Sequence, residues 1–164
     1  MPITVKRGRA ICRSLSMAAV ILSGFLVAAG SAYAGQCPAG KMGVDLTKPS
    51  TLPAKDVTDK VLAAIDLSKE PAKLDNRLLR LRKLEILPGG VVPWHSHGDR
   101  PAIIYIIQGE VTEYASDCAV PIVHKSGEVA RETASTSHWW KNTGKQIVIL
   151  LSADILHDQM DHNM

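Results

Sequence analysis

Cysteine is scarce in this chain: three in 164 residues, at positions 12, 37 and 118. Neither Cys37 nor Cys118 has another cysteine or a histidine nearby at zinc-ligand spacing, which argues against a thiolate metal site. The sequence also lacks an apolar run of the ~20 residues that a membrane span needs. The run from Met17 to Ala29 is shorter and is interrupted by Ser23 and Gly24. Acidic residues are missing altogether from the first 34 positions, where Lys6, Arg7, Arg9 and Arg13 supply a positive start. With Ala32-Tyr33-Ala34 as a small-residue cleavage site, residues 1–34 read as a secretory signal peptide cut before Gly35, the rival reading being an uncleaved anchor. The expected location is therefore periplasmic or secreted, with no stable membrane span after cleavage.

That segment distorts the charge balance. It holds four of the 19 Lys and Arg and none of the 16 Asp and Glu, so the remainder carries 15 against 16, a formal net charge of −1. No basic patch is left to argue for nucleic acid. About 130 residues remain, enough for one domain with a real core. Two cysteines in an oxidising compartment suggest one disulfide, Cys37 with Cys118, against the alternative of two free thiols.

Residues 35–76 read as an irregular arm followed by a short helix. Val57, Val61, Ala64 and Ile65 recur at helical spacing between Asp56, a plausible cap, and Leu67. From Arg77 to residue 153 the pattern is strand-like. Leu79 and Leu81 share one parity and Leu84 and Ile86 the other, which suggests a bulge near Arg82-Lys83 or two short strands. Pro88-Gly89-Gly90 reads as a turn, Ala102 to Ile107 as a strand buried on both faces, and Gln108-Gly109-Glu110 as a hairpin turn. Further short strands separated by glycine turns indicate an all-β sandwich or barrel. Residues 154–164 form a polar tail, read as solvated rather than as a weak metal site. His124, isolated beside Lys125, reads as a surface or strand-edge residue.

His95 and His97 lie one residue apart on a strand-like run, so both side chains face one way. A third strand carrying His138 would complete a three-nitrogen metal site, and imidazole suits Zn, Cu, Fe and Ni. The surrounding residues form the pattern G-x5-H-x-H-x4-A-x6-G from Gly89 to Gly109, then G-x5-T-x-S-x2-H-x3-N from Gly127 to Asn142. These resemble the two signature motifs of the cupin superfamily, matching its glycines, its three histidines and its asparagine over residues 89–142. Ala102 stands where the family has a ligand glutamate, and Thr133 and Ser135 stand where it has proline and glycine.

The resemblance implies a cupin-type jelly-roll β-barrel with a divalent metal (Fe, Mn, Ni or Zn) held by His95, His97 and His138. Asp99 and water are the two candidate substitutes for the missing glutamate oxygen. Strand parity turns Ala102, Ile104, Ile106 and Trp140 into the pocket and turns Trp94, Tyr105 and Trp139 outward. That lining is apolar apart from the histidines and favours a small organic molecule over a phosphate. The family likeness to three-histidine dioxygenases implies an oxidoreductase of that type. The alternative is a periplasmic protein that binds a metal or small ligand without turnover. The resemblance also implies a homodimer as one form of assembly.

Overall fold

A computed structural model of the chain describes residues 36–157. The signal peptide expected over residues 1–34 and the tail from residue 158 onward lie outside the described residues. The described part is all-β: β1 (Lys55–Asp66), β2 (Leu78–Ser96), β3 (Ala102–Gln108), β4 (Glu110–Ala115), β5 (Ile122–Lys125), β6 (Val129–Glu132), β7 (Ser137–Lys141) and β8 (Val148–Leu156). They form a nearly closed antiparallel barrel in the order β5-β4-β7-β2-β8-β3-β6, with β1 on a further edge of β2. The core is built from alternate residues of these strands, among them Leu84, Ile86, Ile104, Ile106, Val111, Val148 and Leu150.

The helix expected between Asp56 and Leu67 is instead β1, paired antiparallel with β2 from Asp66↔Leu78 to Lys55↔Val91. Two register shifts, Lys55/Val57 and Val61/Ala63, break the strand's alternation and leave its apolar residues at spacings that imitate a helix. Asp56 takes a positive φ of 49° at the first shift rather than capping a helix. Most of β1 is exposed, so nothing there supplies the packing that would fix an amphipathic helix.

β2 also corrects the sequence reading. It is continuous, and its pairing with β8 runs without a shift from Leu78 to Ile86. Leu79 and Leu81 lie on the outer face, while Arg82, Leu84 and Ile86 are buried. The apparent change of phase arises because an arginine occupies an inward position, and the nearby bulge belongs to β1. The strand runs on through Pro88-Gly89-Gly90, with Gly89 at φ 79°. β3 is buried on one face only: Ile103, Tyr105 and Ile107 are exposed. β3 and β4 do not pair, so Gly109 is a crossing between separated strands and not a hairpin. Its φ is 82°, and a Cβ there would meet the Ile147 carbonyl oxygen at 2.7 Å. β8 continues through Leu156, three residues beyond the expected barrel boundary.

Candidate metal centre

A bulge sets up the first two histidines. β2 pairs with β7 at Val92↔Trp140 and again at His95↔His138, so β2 spends one residue more than its partner between them. In a regular strand Val92 and His95 would face opposite sides. The extra residue, in the Pro93-Trp94 stretch, turns both inward, and proline suits a bulge because it has no N–H to donate to the ladder. His97 lies just past the end of β2, where its backbone N–H donates to the Thr136 carbonyl at 2.9 Å. His138 faces His95 from the neighbouring strand.

The three Nε2 atoms converge. His95–His97, His97–His138 and His138–His95 are each separated by 3.1 Å. The centre of such a triangle lies ~1.8 Å from each nitrogen (3.1/√3), so a point slightly off its plane meets the ~2.0–2.1 Å of a zinc–imidazole bond. The far side of each ring explains this orientation. Nδ1–H of His95 donates to the Pro93 carbonyl at 2.9 Å, and that of His97 to the Arg100 carbonyl at 2.8 Å. Nδ1–H of His138 donates to Glu113 Oε1 at 2.5 Å. Every ring is thus held by an oxygen behind it, the arrangement that orients metal-binding histidines. His95, His97 and His138 could hold a metal ion.

The electrostatics depend on what lies behind His138. Burial and the His138 charge hold His95 down to about 2 and His97 down to about 4, so both are neutral. Burial also disfavours a charged His138, but Glu132 and Glu113 outweigh it and raise its pKa. The raised pKa favours a proton on His138, with which a cation entering the triad competes. Burial works against ionising Glu113 too, yet the bonds from His124 and His138 hold it down at about 2. Its two oxygens serve two rings, Oε1 that of His138 and Oε2 the Nε2 of His124 at 2.6 Å. Trp140 Nε1–H also points at His138 Nδ1, at 2.9 Å, but that nitrogen keeps its proton and donates it to the ionised Glu113 carboxylate. Glu132 is buried beside these groups, and burial with the charges of Glu113 and Asp117 pushes it up to about 8.

Around the triad is a small cavity of about 20 Å³, lined by the three histidines with Arg82, Val92, Ile104, Trp140, Leu150 and Ser152 among others. Ile104 and Trp140 thus line it; Ala102 and Ile106 are buried but are not among its lining residues. Ala102 stands opposite Glu132 on β6 and Asp154 on β8. Asp99 is exposed, and its carboxylate pairs with His157 Nδ1 at 3.0 Å instead of facing the triad. Trp139 stacks on Tyr114 at 4.1 Å. His124 lies on the edge strand β5, one of its two expected placements, but it is fully buried there and stacks on Trp140 at 4.8 Å, so the surface placement does not hold. Cys37 and Cys118 are disulfide-bonded.

Five polar residues of this region escaped sequence reasoning: Arg82, Glu113, His124, Glu132 and Ser152. Each shares the inward parity of its strand with apolar neighbours, Glu113 lying between Val111 and Ala115 and His124 following Ile122. A charged residue on the apolar parity of a strand was the available signal, since burying one requires a partner.

Residues 82–154 match the family model of the cupin domain, Cupin_2. Among solved structures, a double-stranded β-helix protein from Klebsiella pneumoniae is 16% identical, with 70% of this chain and 85% of that one covered and a TM-score of 0.50. The cupin domain of Cnp3 from Schizosaccharomyces pombe is 17% identical over 68% of each chain, with a TM-score of 0.48. The Cupin_2 domain of an XRE-family transcriptional regulator from Enterobacter cloacae is 13% identical, over 61% of this chain and 96% of that one, with a TM-score of 0.48. No curated protein matches the chain. At 16% identity the Klebsiella pneumoniae likeness speaks to the fold alone. The family match, the barrel and the histidine cluster agree with one another: this chain carries a cupin domain.

Proposed function

We propose that this chain is an exported metal-binding cupin whose His95, His97 and His138 hold a divalent Fe, Mn, Ni or Zn ion and present it to a small organic molecule. The observation that carries the reading is the convergence of three Nε2 atoms at 3.1 Å with every Nδ1 tied to an oxygen behind it. Three nitrogens on one side of an octahedral ion leave up to three positions open, the arrangement expected of a dioxygenase-like oxidoreductase. A redox-capable ion would supply activation of dioxygen there. The chain's part is to orient: Pro93, Arg100 and Glu113 fix the rings, while Leu84, Val92, Ile104 and Leu150 keep water away from them.

A second reading, an exported binder without turnover, draws support from the cavity. About 20 Å³ is room for roughly one water, little for a substrate beside an ion. Elemental analysis of protein purified from the exported fraction tests the metal. The expected result is about one transition-metal ion per chain, with a clear loss in each of His95→Ala, His97→Ala and His138→Ala. Metal-free protein after growth in metal-rich medium, or equal content in all three variants, would end the proposal. Oxygen uptake by the loaded protein on a panel of small organic molecules then separates enzyme from binder.

A further inference from the structure

We propose that the cavity behind His138 is a second cation site, in which Glu113, Glu132 and Asp117 hold a hard divalent ion, Mg(II) or Ca(II), through oxygen. The site is separate from the triad, and the inference does not depend on an ion in the triad.

The cavity measures about 70 Å³. Three carboxylates line it: Glu113 from β4, Glu132 from β6 and Asp117 from the loop after β4. Glu113 and Glu132 are each 3% exposed, and Asp117 is half-buried. Among the described residues the one cationic side chain in the lining is Arg131, which takes the outward parity of β6 and is exposed to water.

Glu132 marks this cluster as a site. It takes the inward parity of β6 and lines the cavity. Among the described residues no donor bonds its carboxylate. His138 Nδ1 stands at 3.6 Å, outside hydrogen-bond range, and its N–H is already given to Glu113 Oε1 at 2.5 Å. A buried carboxylate without a hydrogen bond is costly to ionise unless a cation joins it. The geometry suits one. An oxygen of Glu113, an oxygen of Glu132 and a nitrogen of His138 all lie within 4.8 Å of one another. Two oxygens that close can share one ion at ~2.0–2.6 Å. Each Glu113 oxygen accepts one imidazole N–H and keeps a lone pair for the ion.

The donor set selects the class of ion. The charged donors here are all oxygen, which suits Mg(II) and Ca(II), whereas the triad is all nitrogen and suits Fe, Ni or Zn. Three carboxylates do not fill the shell of such an ion, and about 70 Å³ leaves room for waters beside it. Gln36 and Cys37 border the cavity, so an ion there also joins the N-terminal arm to the barrel.

The test is calorimetry on the full chain from the exported fraction, its triad first filled with Zn(II). Calcium chloride or magnesium chloride is titrated in at ~0.15 M salt, where diffuse surface attraction is screened. The expected result is a single site per chain for at least one of the two cations, with a Kd below about 1 mM and the zinc retained. Glu132→Gln keeps the shape, removes the charge and should weaken binding by at least about tenfold, because ligand charge sets the affinity of such sites. Asp117→Asn should weaken it as well, and decides the matter if Glu132→Gln does not fold. Asp75→Asn, at an exposed carboxylate, should change nothing. No saturable binding of either cation up to about 10 mM overturns the inference and leaves a proton as the partner of Glu132. Unchanged affinity in the Glu132 and Asp117 variants overturns it too, as does release of zinc in step with calcium uptake, which would place the ion in the triad. Failure of the zinc step concerns the triad alone; the titration then runs on the metal-free chain with the same outcomes.

Discussion

Glu113 occupies a position that its strand otherwise gives to Val111 and Ala115, and its carboxylate bonds both His138 and His124. Its charge fixes the tautomer of His138 and raises the basicity of the nitrogen opposite. Glu113→Gln keeps the shape and removes the charge. Metal affinity should fall by about 10–100-fold, the usual effect of losing a ligand's supporting partner. Competition with a calibrated chelator measures it, and an unchanged affinity would mean that the ring is held by packing against Trp140 alone. Ala102 poses the opposite experiment. Ala102→Glu restores the family's ligand type, and the metal-loaded protein should bind its ion more tightly than wild type. The metal-free protein should be destabilised by about 1–3 kcal/mol, because the new carboxylate enters between Glu132 and Asp154 with no ion to offset it. Equal metal affinity in the two proteins would show that the side chain at 102 does not reach the centre.

At the scale of the strand, the sequence was informative where periodicity and special residues agreed. His95, His97 and His138 came with glycines and an asparagine at fixed offsets, and Asn142 does hold the turn: its side-chain amide donates to the Ile86 and Gln146 carbonyls at 2.9 and 2.7 Å. β1 was illegible for a physical reason. Its two bulges shift the phase of an exposed edge strand, so the apolar spacing carried the wrong period, and only the partner strand decides between helix and ladder. β2 misled differently. Arg82 occupies an inward position, paired with Asp59 from β1 and Asp154 from β8, neither of which is near it in sequence. Long-range ion pairs of this kind leave no periodic trace. β3 looked buried on both faces because Ile103, Tyr105 and Ile107 are apolar yet exposed, and exposure of single apolar residues is ordinary.

Across the whole molecule, His138 stands between two spaces. Its Nε2 faces the triad, while behind it Glu113 and Glu132 border a second cavity of about 70 Å³ that Gln36, Cys37 and Met42 of the N-terminal arm help to enclose. The arm is fastened there in two ways. Gly43 and Leu46 N–H groups donate to the Asp117 and Ser116 carbonyls at 3.0 and 2.8 Å, and Ala119 N–H donates to the Lys41 carbonyl at 2.9 Å. The Cys37–Cys118 disulfide then closes a loop spanning 81 positions. Restricting the unfolded chain over that length is worth about 4–5 kcal/mol on the chain-entropy model. Hydrogen bonds of the arm do not replace this contribution, because they act on the folded state and the cross-link acts on the unfolded one. Replacing both cysteines by serine should therefore lower the melting temperature by on the order of 15 °C for a domain of this size, even with the arm still docked. Calorimetry of the double variant against the oxidised wild type measures the difference, and reduction of the wild type should reproduce it. A shift of only a degree or two in both would show that the arm's docking survives in the unfolded ensemble or that the loop is closed by other contacts.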